Sequence, residues 1–330
     1  MRLAILGGGA WGTALGVCLA PHHQISLWVR DPAQCHSLVA SRTNARYLPG
    51  VAIPEGVRIT PDLRTAVDAS QLIVLAVPTS ALRQTLRLVA SVMPEPGVVW
   101  LCKGFESGSA KFPHQVAEEE LPPAQPRAAL SGPSFASEVA RGLPAAVTLA
   151  SGDAQFAAMA SRELHTGRLR VYTSDDLIGV ETGGAVKNVI AIAAGVSDGL
   201  ELGASARAAL ITRGLAEITR LGTRLGARSE TFIGLAGAGD LMLTATSDLS
   251  RNRRVGLQLA TGQPLSSILA KLGHVAEGVH TAQEVLRLAG RFGVDMPITA
   301  AVSQLLEGKT SARELVHGLL QRGPKQESVR

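Results

Sequence analysis

The sequence predicts an α/β protein in which a doubly wound sheet domain, residues 1–174, precedes an all-α domain, residues 175–330. In the first part of the chain, strand-like apolar runs alternate with helical segments, as in parallel sheets that have helices on both faces. The strand-like runs stop after Asp175 and Asp176, and periodic helical segments follow. A glycine-rich turn follows the first apolar run, which is its position in dinucleotide-binding domains.

The composition favours a protein that binds a small anionic ligand. The chain has 330 residues, 46% of them hydrophobic, which is enough for a packed core and for two domains. A net charge of +5 without a long basic tract, together with 3% aromatic residues, argues against a nucleic-acid partner.

Cysteine usage and hydropathy indicate where the protein is located. Cys18, Cys35 and Cys102 are odd in number and lack the spacing of a zinc or redox motif. We therefore expect reduced thiols in the cytoplasm and no bound metal. The sequence has no run of about eighteen apolar residues, so no membrane span is expected. The apolar stretch after residue 2 could belong to a signal peptide, but its three consecutive glycines weaken such a helix.

The glycine turn has the spacing of a Rossmann-type dinucleotide site. Residues 2–6 form a strand-like run, residues 13–20 are helical, and Gly7, Gly9 and Gly12 lie between them. In such sites the first glycine allows a tight turn, the second lets the backbone approach a pyrophosphate, and the third lets helix and strand pack closely. The pyrophosphate is expected at the amide groups of the helix N-terminus. The pattern alone is weak evidence, and its position between strand and helix is what favours a cofactor site.

The end of the second strand, residues 24–29, indicates which dinucleotide is bound. An acidic residue there bonds the adenosine ribose, whereas an arginine accommodates a 2′-phosphate. Arg30 occupies this position and Asp31 follows it. NADP is therefore favoured and NAD stays open; the alternative is a purely structural Arg30 in a solvated loop.

The remaining elements alternate as a doubly wound sheet requires. Residues 72–77 form a continuous apolar run, typical of a strand buried on both faces. Residues 44–61, rich in proline and glycine around Tyr47, are expected to form a long irregular loop that packs on the domain. Further strands are predicted at residues 57–60, 98–102, 128–130, 146–149 and 169–172. Helices are predicted at residues 32–41, 112–120, 205–225, 252–260, 266–272, 277–292, 298–306 and 312–319.

Three segments are expected at the carboxyl ends of strands, where doubly wound sheets bind their ligands. Residues 78–80 begin a helix after one strand, and Lys103 with Gly104 follows the next. The segment SGPSFA at residues 131–136 offers the Ser134 hydroxyl and free amides to an anion. An ordinary exposed loop lysine is the alternative for Lys103.

Residues 177–197 predict one long helix of small and apolar residues with a single lysine, Lys187, in its middle. The residues three and four positions away are two glycines, Ile190 and Ala191, so Lys187 has no carboxylate partner on its own helix. A charge in such surroundings must reach water, find a partner elsewhere in the fold, or be functional.

Seven motifs between residues 7 and 282 resemble the NAD(P)-dependent glycerol-3-phosphate dehydrogenases. In chain order they are GGGAWGTALG, LCKG, SGPSFA, AVKNVIAIAAG, ARAALITRGLAEI, GLAGAGDLMLTATSDLSRNRRVG and VAEGVHTA. The resemblance implies reversible hydride transfer between the nicotinamide and C2 of dihydroxyacetone phosphate, giving sn-glycerol 3-phosphate for glycerophospholipid synthesis. It also implies NADP or NAD as cofactor, a small phosphorylated substrate, a cytoplasmic location and a homodimer.

The resemblance implies three catalytic residues. Lys187 is the general acid–base, Lys103 is a second lysine that binds substrate, and Asp240 is the carboxylate that orients Lys187. An amine in this role needs a pKa lowered from about 10.4 toward 7–8 by desolvation and a nearby cation. Asp240 follows a glycine pair, which suits a tight turn with an exposed side chain; an Asx turn or a helix cap is the alternative.

The same resemblance implies the residues that contact substrate and cofactor. The substrate set is Lys103, Gly132, Ser134, Lys187, Asp240, Ser250, Arg251 and Asn252. The cofactor set is Gly7, Gly9, Trp11, Gly12, Arg30, Tyr47, Lys103, Ala136, Arg251, Val275 and Glu277. Because Ser250 precedes a helix, its hydroxyl, the free amides and the Arg251 guanidinium are expected to converge on the substrate phosphate. Arg253 and Arg254 are expected to be exposed or structural.

The chain departs from the family pattern at Ala10 and Ser205, where many relatives have Ser and Asn. Neither residue is a proton-transfer group, so the departures affect contacts and not the reaction. One alternative function is another two-domain reductase, of the 6-phosphogluconate or ketopantoate type, and the segment at Ser250 argues against it. A nucleotide sensor without chemistry is the other, and the presence of all three candidate catalytic residues argues against it.

Overall fold

The computed structural model describes residues 1–92, 95–272 and 276–322. Within these ranges, ten strands lie between residues 2 and 174. They are β1 (Arg2–Leu6), β2 (Gln24–Trp28), β3 (Thr43–Asn44), β4 (Leu48–Ala52), β5 (Arg58–Thr60), β6 (Leu72–Leu75), β7 (Gly97–Trp100), β8 (Arg127–Ser131), β9 (Ala145–Ala150) and β10 (Leu169–Ser174).

Helices connect these strands, and helices are also the regular elements that the structure describes after residue 176. The helices among the strands are α1 (Ala10–Leu19), α2 (Pro32–Ser41), α3 (Leu63–Val67), α4 (Thr79–Val92), α5 (Pro113–Glu120), α6 (Ala136–Ala140) and α7 (Ala154–Leu164). Those that follow are α8 (Leu177–Gly199), α9 (Ala204–Arg224), α10 (Ser229–Ile233), α11 (Asp240–Thr246), α12 (Arg251–Ala260), α13 (Leu265–Leu272), α14 (Glu277–Phe292), α15 (Pro297–Leu306) and α16 (Ala312–Leu320).

The predicted doubly wound sheet is present. Its eight strands have the order β10-β9-β8-β7-β6-β1-β2-β5. The six strands β8, β7, β6, β1, β2 and β5 are all parallel to one another. β9 pairs with β8 in antiparallel orientation and β10 is parallel to β9, so these two strands run against the rest of a mixed sheet. The carboxyl ends of β1, β6, β7 and β8 therefore meet at one edge. The predicted fold class, a Rossmann-type sheet domain followed by an all-α domain, is confirmed; the division at residues 174 and 175 stays a prediction.

The sheet separates two apolar cores, and a third lies among the later helices. Because successive side chains of a strand point to opposite faces, Leu3 and Ile5 of β1 lie in one core while Ala4 and Leu6 lie in the other. The third core surrounds α8, which contacts α9, α11, α12 and α14.

The loop predicted at residues 44–61 is wrong in its details. β5 is the strand predicted at residues 57–60, but the segment also contains β4, and Asn44 and Leu48 pair in an antiparallel hairpin between β3 and β4. Leu48 and Val51 are buried with Ala14 of α1 and Ala136 of α6. The two-residue strand β3 has no periodic signal, and its partner β4 is the strand that packs on α1 and α6; the glycines and prolines alone indicate a loop.

The long helix predicted at residues 177–197 is α8, and nearly all its side chains are buried. A Cβ on Gly195 would lie 2.0 Å from the Arg253 carbonyl oxygen, and one on Gly256 would lie 2.0 Å from the Ile192 carbonyl oxygen. Glycine is therefore required on both sides of the close crossing of α8 and α12.

By length and hydropathy α8 could also cross a membrane, although the sequence has no unbroken apolar run of about eighteen residues. However, 89% of its most apolar part is buried inside the protein, and core helices of soluble proteins have the same features.

Candidate active site

The predicted contact between Lys187 of α8 and Asp240 is present, and it is buried. Lys187 Nζ donates hydrogen bonds to Asp240 Oδ1 at 2.6 Å and to Thr244 Oγ1 at 2.8 Å. Lys103 Nζ donates to the other carboxylate oxygen, Asp240 Oδ2, at 2.6 Å and to the Gly132 carbonyl oxygen at 3.2 Å. One carboxylate thus bridges two ammonium groups, one from the end of β7 and one from α8.

The burial of this cluster sets its protonation. Lys187 is 6% exposed and Asp240 is 1% exposed. Burial lowers the pKa of Lys187 to about 8; the charge of Asp240 opposes the shift and that of Lys103 adds to it. Burial would raise the pKa of Asp240, but the charges of Lys103 and Lys187 outweigh burial and hold that pKa below its usual value. The cluster therefore combines a permanent carboxylate with an amine that can exchange a proton near neutral pH.

The exposed tight turn predicted for Asp240 is wrong. A single π-helical turn, Leu235–Gly239, leads into Asp240, which begins α11. A Cβ on Gly183 of α8 would lie 2.5 Å from the Ala236 carbonyl oxygen. The π-helical turn therefore packs directly on the α8 backbone, and this packing buries the carboxylate beside Lys187.

Thr244 is a site residue that the sequence analysis missed. It lies one helical turn after Asp240, and its hydroxyl donates to the Asp240 carbonyl oxygen while it accepts from Lys187. The signal in the sequence is the i, i+4 spacing of Asp240 and Thr244, which places both on one face of a helix.

The glycine turn has the geometry of an anion site. Gly9 caps α1 without a side-chain hydrogen bond, so the first amides of the helix are free for a ligand. A Cβ on Gly9 would meet no atom within 4 Å, whereas one on Gly12 would lie 1.9 Å from the Gly7 carbonyl oxygen. Space for a pyrophosphate at Gly9 and close packing at Gly12 are the features that a dinucleotide requires.

At the predicted ribose position, the protein presents the exposed Arg30 cation. Asp31 caps α2, and its carboxylate accepts a hydrogen bond from the Ala33 amide at 3.0 Å. Arg30 beside it is exposed, and Tyr47 lies under the Arg46 guanidinium at 5.0 Å. Trp11 and Tyr47 are half-buried, and Ala136 begins α6 against α1.

The N-terminus of α12 lies against α8, where Asn252 is bonded to Asn188, the residue after Lys187. Ser250 caps the helix by accepting from the Arg253 amide at 3.2 Å, and Arg251 is exposed. The side chain of Asn252 does not point to a free surface: it donates to Asn188 Oδ1 at 2.9 Å and accepts from the Gly278 amide at 3.0 Å. This side chain therefore links α8, α12 and α14, and the substrate contact expected of Asn252 stays a prediction.

Arg253, expected to be exposed or structural, is structural. It is 8% exposed and donates to Asp198 at the end of α8 and to Asp248 before α12. These bonds anchor the loop that precedes Ser250.

Two further predicted segments border the same crevice. Gly132 has a φ of +144°, and a Cβ there would lie 2.8 Å from the Val147 Cα, so only glycine fits. Ser134 Oγ donates to the Gly132 carbonyl oxygen at 3.1 Å. Burial raises the pKa of Glu277, at the start of α14, and the charges of Arg251, Lys103 and Lys187 oppose this rise.

Comparisons with known proteins identify the family to which the chain belongs. The profile described as NAD-dependent glycerol-3-phosphate dehydrogenase N-terminus matches residues 2–157, and the corresponding C-terminus profile matches residues 176–317. A relative from Nitrosospira multiformis, named glycerol-3-phosphate dehydrogenase [NAD(P)+], is 56% identical and covers 99% of both chains. The chain belongs to the glycerol-3-phosphate dehydrogenase family.

Other members of the family are similar over the whole chain. A glycerol-3-phosphate dehydrogenase [NAD(P)+] from Methylobacillus flagellatus is 53% identical and covers 100% of both chains. The crystal structure of glycerol-3-phosphate dehydrogenase from Coxiella burnetii has a TM-score of 0.93 at 40% identity, covering 97% of this chain and 99% of that one. A ketopantoate reductase from Ralstonia eutropha has a TM-score of 0.58 at 18% identity, a likeness of fold alone.

One expected residue of the family site, Val275, lies outside the described residues.

Glu181 of α8 is another buried acidic residue, and the sequence did not indicate it. It accepts hydrogen bonds from Trp100 Nε1 at 2.9 Å and from the His114 amide at 3.0 Å. Six residues before Lys187, these bonds hold α8 against β7 and α5. Glu181 was not predicted because its partners lie far away in the chain, where no local sequence pattern indicates them.

Proposed function

We propose that this glycerol-3-phosphate dehydrogenase reduces dihydroxyacetone phosphate reversibly to sn-glycerol 3-phosphate with NADPH or NADH, and that Lys187 is its general acid and base. The observation that supports this role is the buried Lys187 ammonium with a pKa lowered to about 8, bonded to a single carboxylate. A group with a pKa near the operating pH serves equally as proton donor and acceptor.

Lys187 moves the proton of the reaction. When bound, the nicotinamide supplies the hydride to C2. Lys187 donates its Nζ proton to the oxygen on C2 as negative charge develops there, and in the oxidation it accepts the hydroxyl proton from the same oxygen. Asp240 and Thr244 hold Nζ through two hydrogen bonds and leave one N–H for this oxygen.

Lys103 and Asp240 assist without exchanging the reacting proton. The Lys103 charge helps to keep the pKa of Lys187 low, and its ammonium is placed to bind the substrate oxygens. Asp240 stabilises both cations in a buried site, where two unpaired ammonium groups would be strongly unfavourable.

The substrate phosphate binds at the start of α12. The Arg251 guanidinium and the free first-turn amides of the helix supply the positive field there. The Ser250 and Ser134 hydroxyls and the Gly132 backbone complete the contacts. For Asn252 the backbone N–H is the group that remains available, since its side chain is engaged elsewhere.

The cofactor binds along the glycine turn, with its pyrophosphate at the amides after Gly9. Arg30 favours NADPH over NADH, because its guanidinium is free to meet a 2′-phosphate while Asp31 is engaged as a helix cap. Trp11, Tyr47, Ala136, Val275 and Glu277 supply the remaining contacts.

We further propose that the enzyme is a cytoplasmic homodimer. The cysteines are all free, which suits a reducing compartment. Ile233, Met242 and Leu249 of the helical half are 75%, 55% and 48% exposed, and an interface with a second copy would bury such apolar side chains. Sedimentation or light scattering of the purified chain tests the dimer, and a monomer at micromolar concentration would overturn it.

A spectrophotometric assay of dihydroxyacetone phosphate reduction, with NADPH and then NADH, tests the reaction. Ketopantoate serves as a control substrate, and turnover of ketopantoate alone would refute the proposal.

Lys187→Ala should abolish turnover while NADPH still binds with nearly unchanged affinity, because Lys187 acts on the substrate oxygen. Loss of both turnover and NADPH binding would indicate a structural lysine instead.

A further inference from the structure

Two side-chain amides converge on one backbone oxygen in the glycine turn. The Gly8 carbonyl oxygen accepts a hydrogen bond from Gln34 Nε2 at 2.6 Å and another from Asn44 Nδ2 at 3.0 Å. Gln34 belongs to α2, and Asn44 ends β3 in the small hairpin. Both lone pairs of this carbonyl are therefore bound by groups from outside the turn.

Asn44 is bonded through its whole amide. It is 1% exposed, and its Nδ2 also donates to Thr13 Oγ1 of α1 at 2.7 Å. Its Oδ1 accepts from the Tyr47 backbone amide at 3.3 Å. One buried amide thus joins the glycine turn, the first turns of α1 and the tip of the hairpin with Tyr47.

The orientation of the Gly8 carbonyl decides the orientation of the next amide. In a planar trans peptide the C=O and N–H bonds point in opposite directions, so a carbonyl held toward Gln34 and Asn44 directs the Gly9 N–H away from them. Glycine on both sides leaves this peptide unit free to rotate. A rotated peptide would present a carbonyl oxygen where the site must present donors to an anion.

We propose that Asn44 and Gln34 are positioning residues for the dinucleotide: together they clamp the Gly8 carbonyl and keep the glycine turn in its anion-binding conformation. Through the Tyr47 amide, Asn44 also fixes the distance between the turn and the hairpin. The clamp rests on the use of a dinucleotide cofactor and is independent of the proton transfer at Lys187.

The test uses isosteric variants of the full-length protein. Asn44→Asp and Gln34→Glu keep the shape of each side chain, but a carboxylate cannot donate and repels the Gly8 oxygen. The dissociation constant of NADPH, measured by fluorescence titration without substrate, should rise at least about tenfold in each variant, the usual size of a buried hydrogen bond that becomes repulsive. KM for dihydroxyacetone phosphate at saturating NADPH should stay within about twofold.

A pH series separates the clamp from a general structural defect. Because position 44 is buried, the pKa of a carboxyl introduced there is raised, and part of it takes up a proton as pH falls from about 8.5 to 6. The protonated carboxyl regains a donor, so the affinity deficit of Asn44→Asp should narrow relative to wild type. Gln304→Glu, the same chemical change on an exposed face of α15, is the matched control and should bind NADPH as wild type does.

The outcomes distinguish the clamp from the proposed function. NADPH affinity within about twofold of wild type in both folded variants would overturn the clamp, as would equal losses for NADPH and substrate. If Asn44→Asp fails to fold, Gln34→Glu alone decides, because Gln34 is half-buried and tolerates the change more easily. A wild-type chain that binds neither NADPH nor NADH would refute the proposed function as well.

Discussion

Replacing Asp240 by asparagine tests how the site controls the proton on Lys187. The Asp240 carboxylate accepts from Lys187 Nζ and from Lys103 Nζ, both at 2.6 Å. Burial lowers the pKa of Lys187, and the Asp240 charge is the main opposing influence. Asp240→Asn removes that charge and leaves the Lys103 cation in place, so the pKa of Lys187 should fall well below its present value of about 8.

The size of the effect follows from the contact distance. Loss of an opposite charge in direct contact shifts a pKa by about 1–3 units, and a shift of about two brings Lys187 to about 6. At pH of about 7.5, an amine with a pKa of about 8 is roughly three-quarters protonated, and one with a pKa of about 6 is about 3% protonated. Because reduction needs the ammonium form, kcat should fall about 25-fold from protonation alone.

The assay is the pH dependence of kcat for dihydroxyacetone phosphate reduction at saturating NADPH. Activity falls as pH rises through the pKa of Lys187, so the midpoint of this fall should move to lower pH in Asp240→Asn. Asp68→Asn makes the same chemical change at an exposed carboxylate of the sheet domain, and it should leave the midpoint in place. A midpoint that stays unchanged or moves to higher pH in Asp240→Asn would refute the reasoning.

The remaining predictions concern substrate, cofactor and stability. Arg251→Ala should raise KM for dihydroxyacetone phosphate by about tenfold or more, the worth of a charge-assisted hydrogen bond, and an unchanged KM would refute the phosphate site at α12. Arg30→Glu should raise KM for NADPH by about tenfold and leave KM for NADH within about twofold; equal changes would show that Arg30 does not contact the 2′-phosphate. Glu217, 2% exposed, accepts from the Ile298 and Thr299 amides at 2.6 and 3.2 Å. Glu217→Ala should lower the free energy of unfolding by about 1–3 kcal/mol in chemical denaturation, with kcat unchanged, and full stability would mean that α15 does not need this cap.

Local patterns predicted the elements whose stability is local. The helix predicted at residues 277–292 has those bounds as α14, because its apolar positions recur with helical period. The turn at Gly7, Gly9 and Gly12 was predictable for a similar reason: backbone conformation and close packing there require glycine at fixed spacing.

Other features depend on partners far away in the chain. The β3–β4 hairpin forms on α1 and α6, and its Asn44 gains its role only when the Gly8 carbonyl lies beside it. The Asn252 side chain is used between Asn188 and Gly278, which the motif around Ser250 does not indicate. The periodicity of a sequence cannot predict such contacts, since each joins residues of different helices or strands.

By itself, the sequence determined the order of the two halves, the dinucleotide turn, and a long helix whose only lysine has no partner within a turn. Tertiary structure decided what Lys187 meets: Asp240, 53 residues further on, with Lys103 on the other side of the same carboxylate. The physical reason is distance along the chain. Helical spacing specifies neighbours three or four residues apart, whereas this carboxylate is placed by the π-helical turn that packs onto Gly183 of α8.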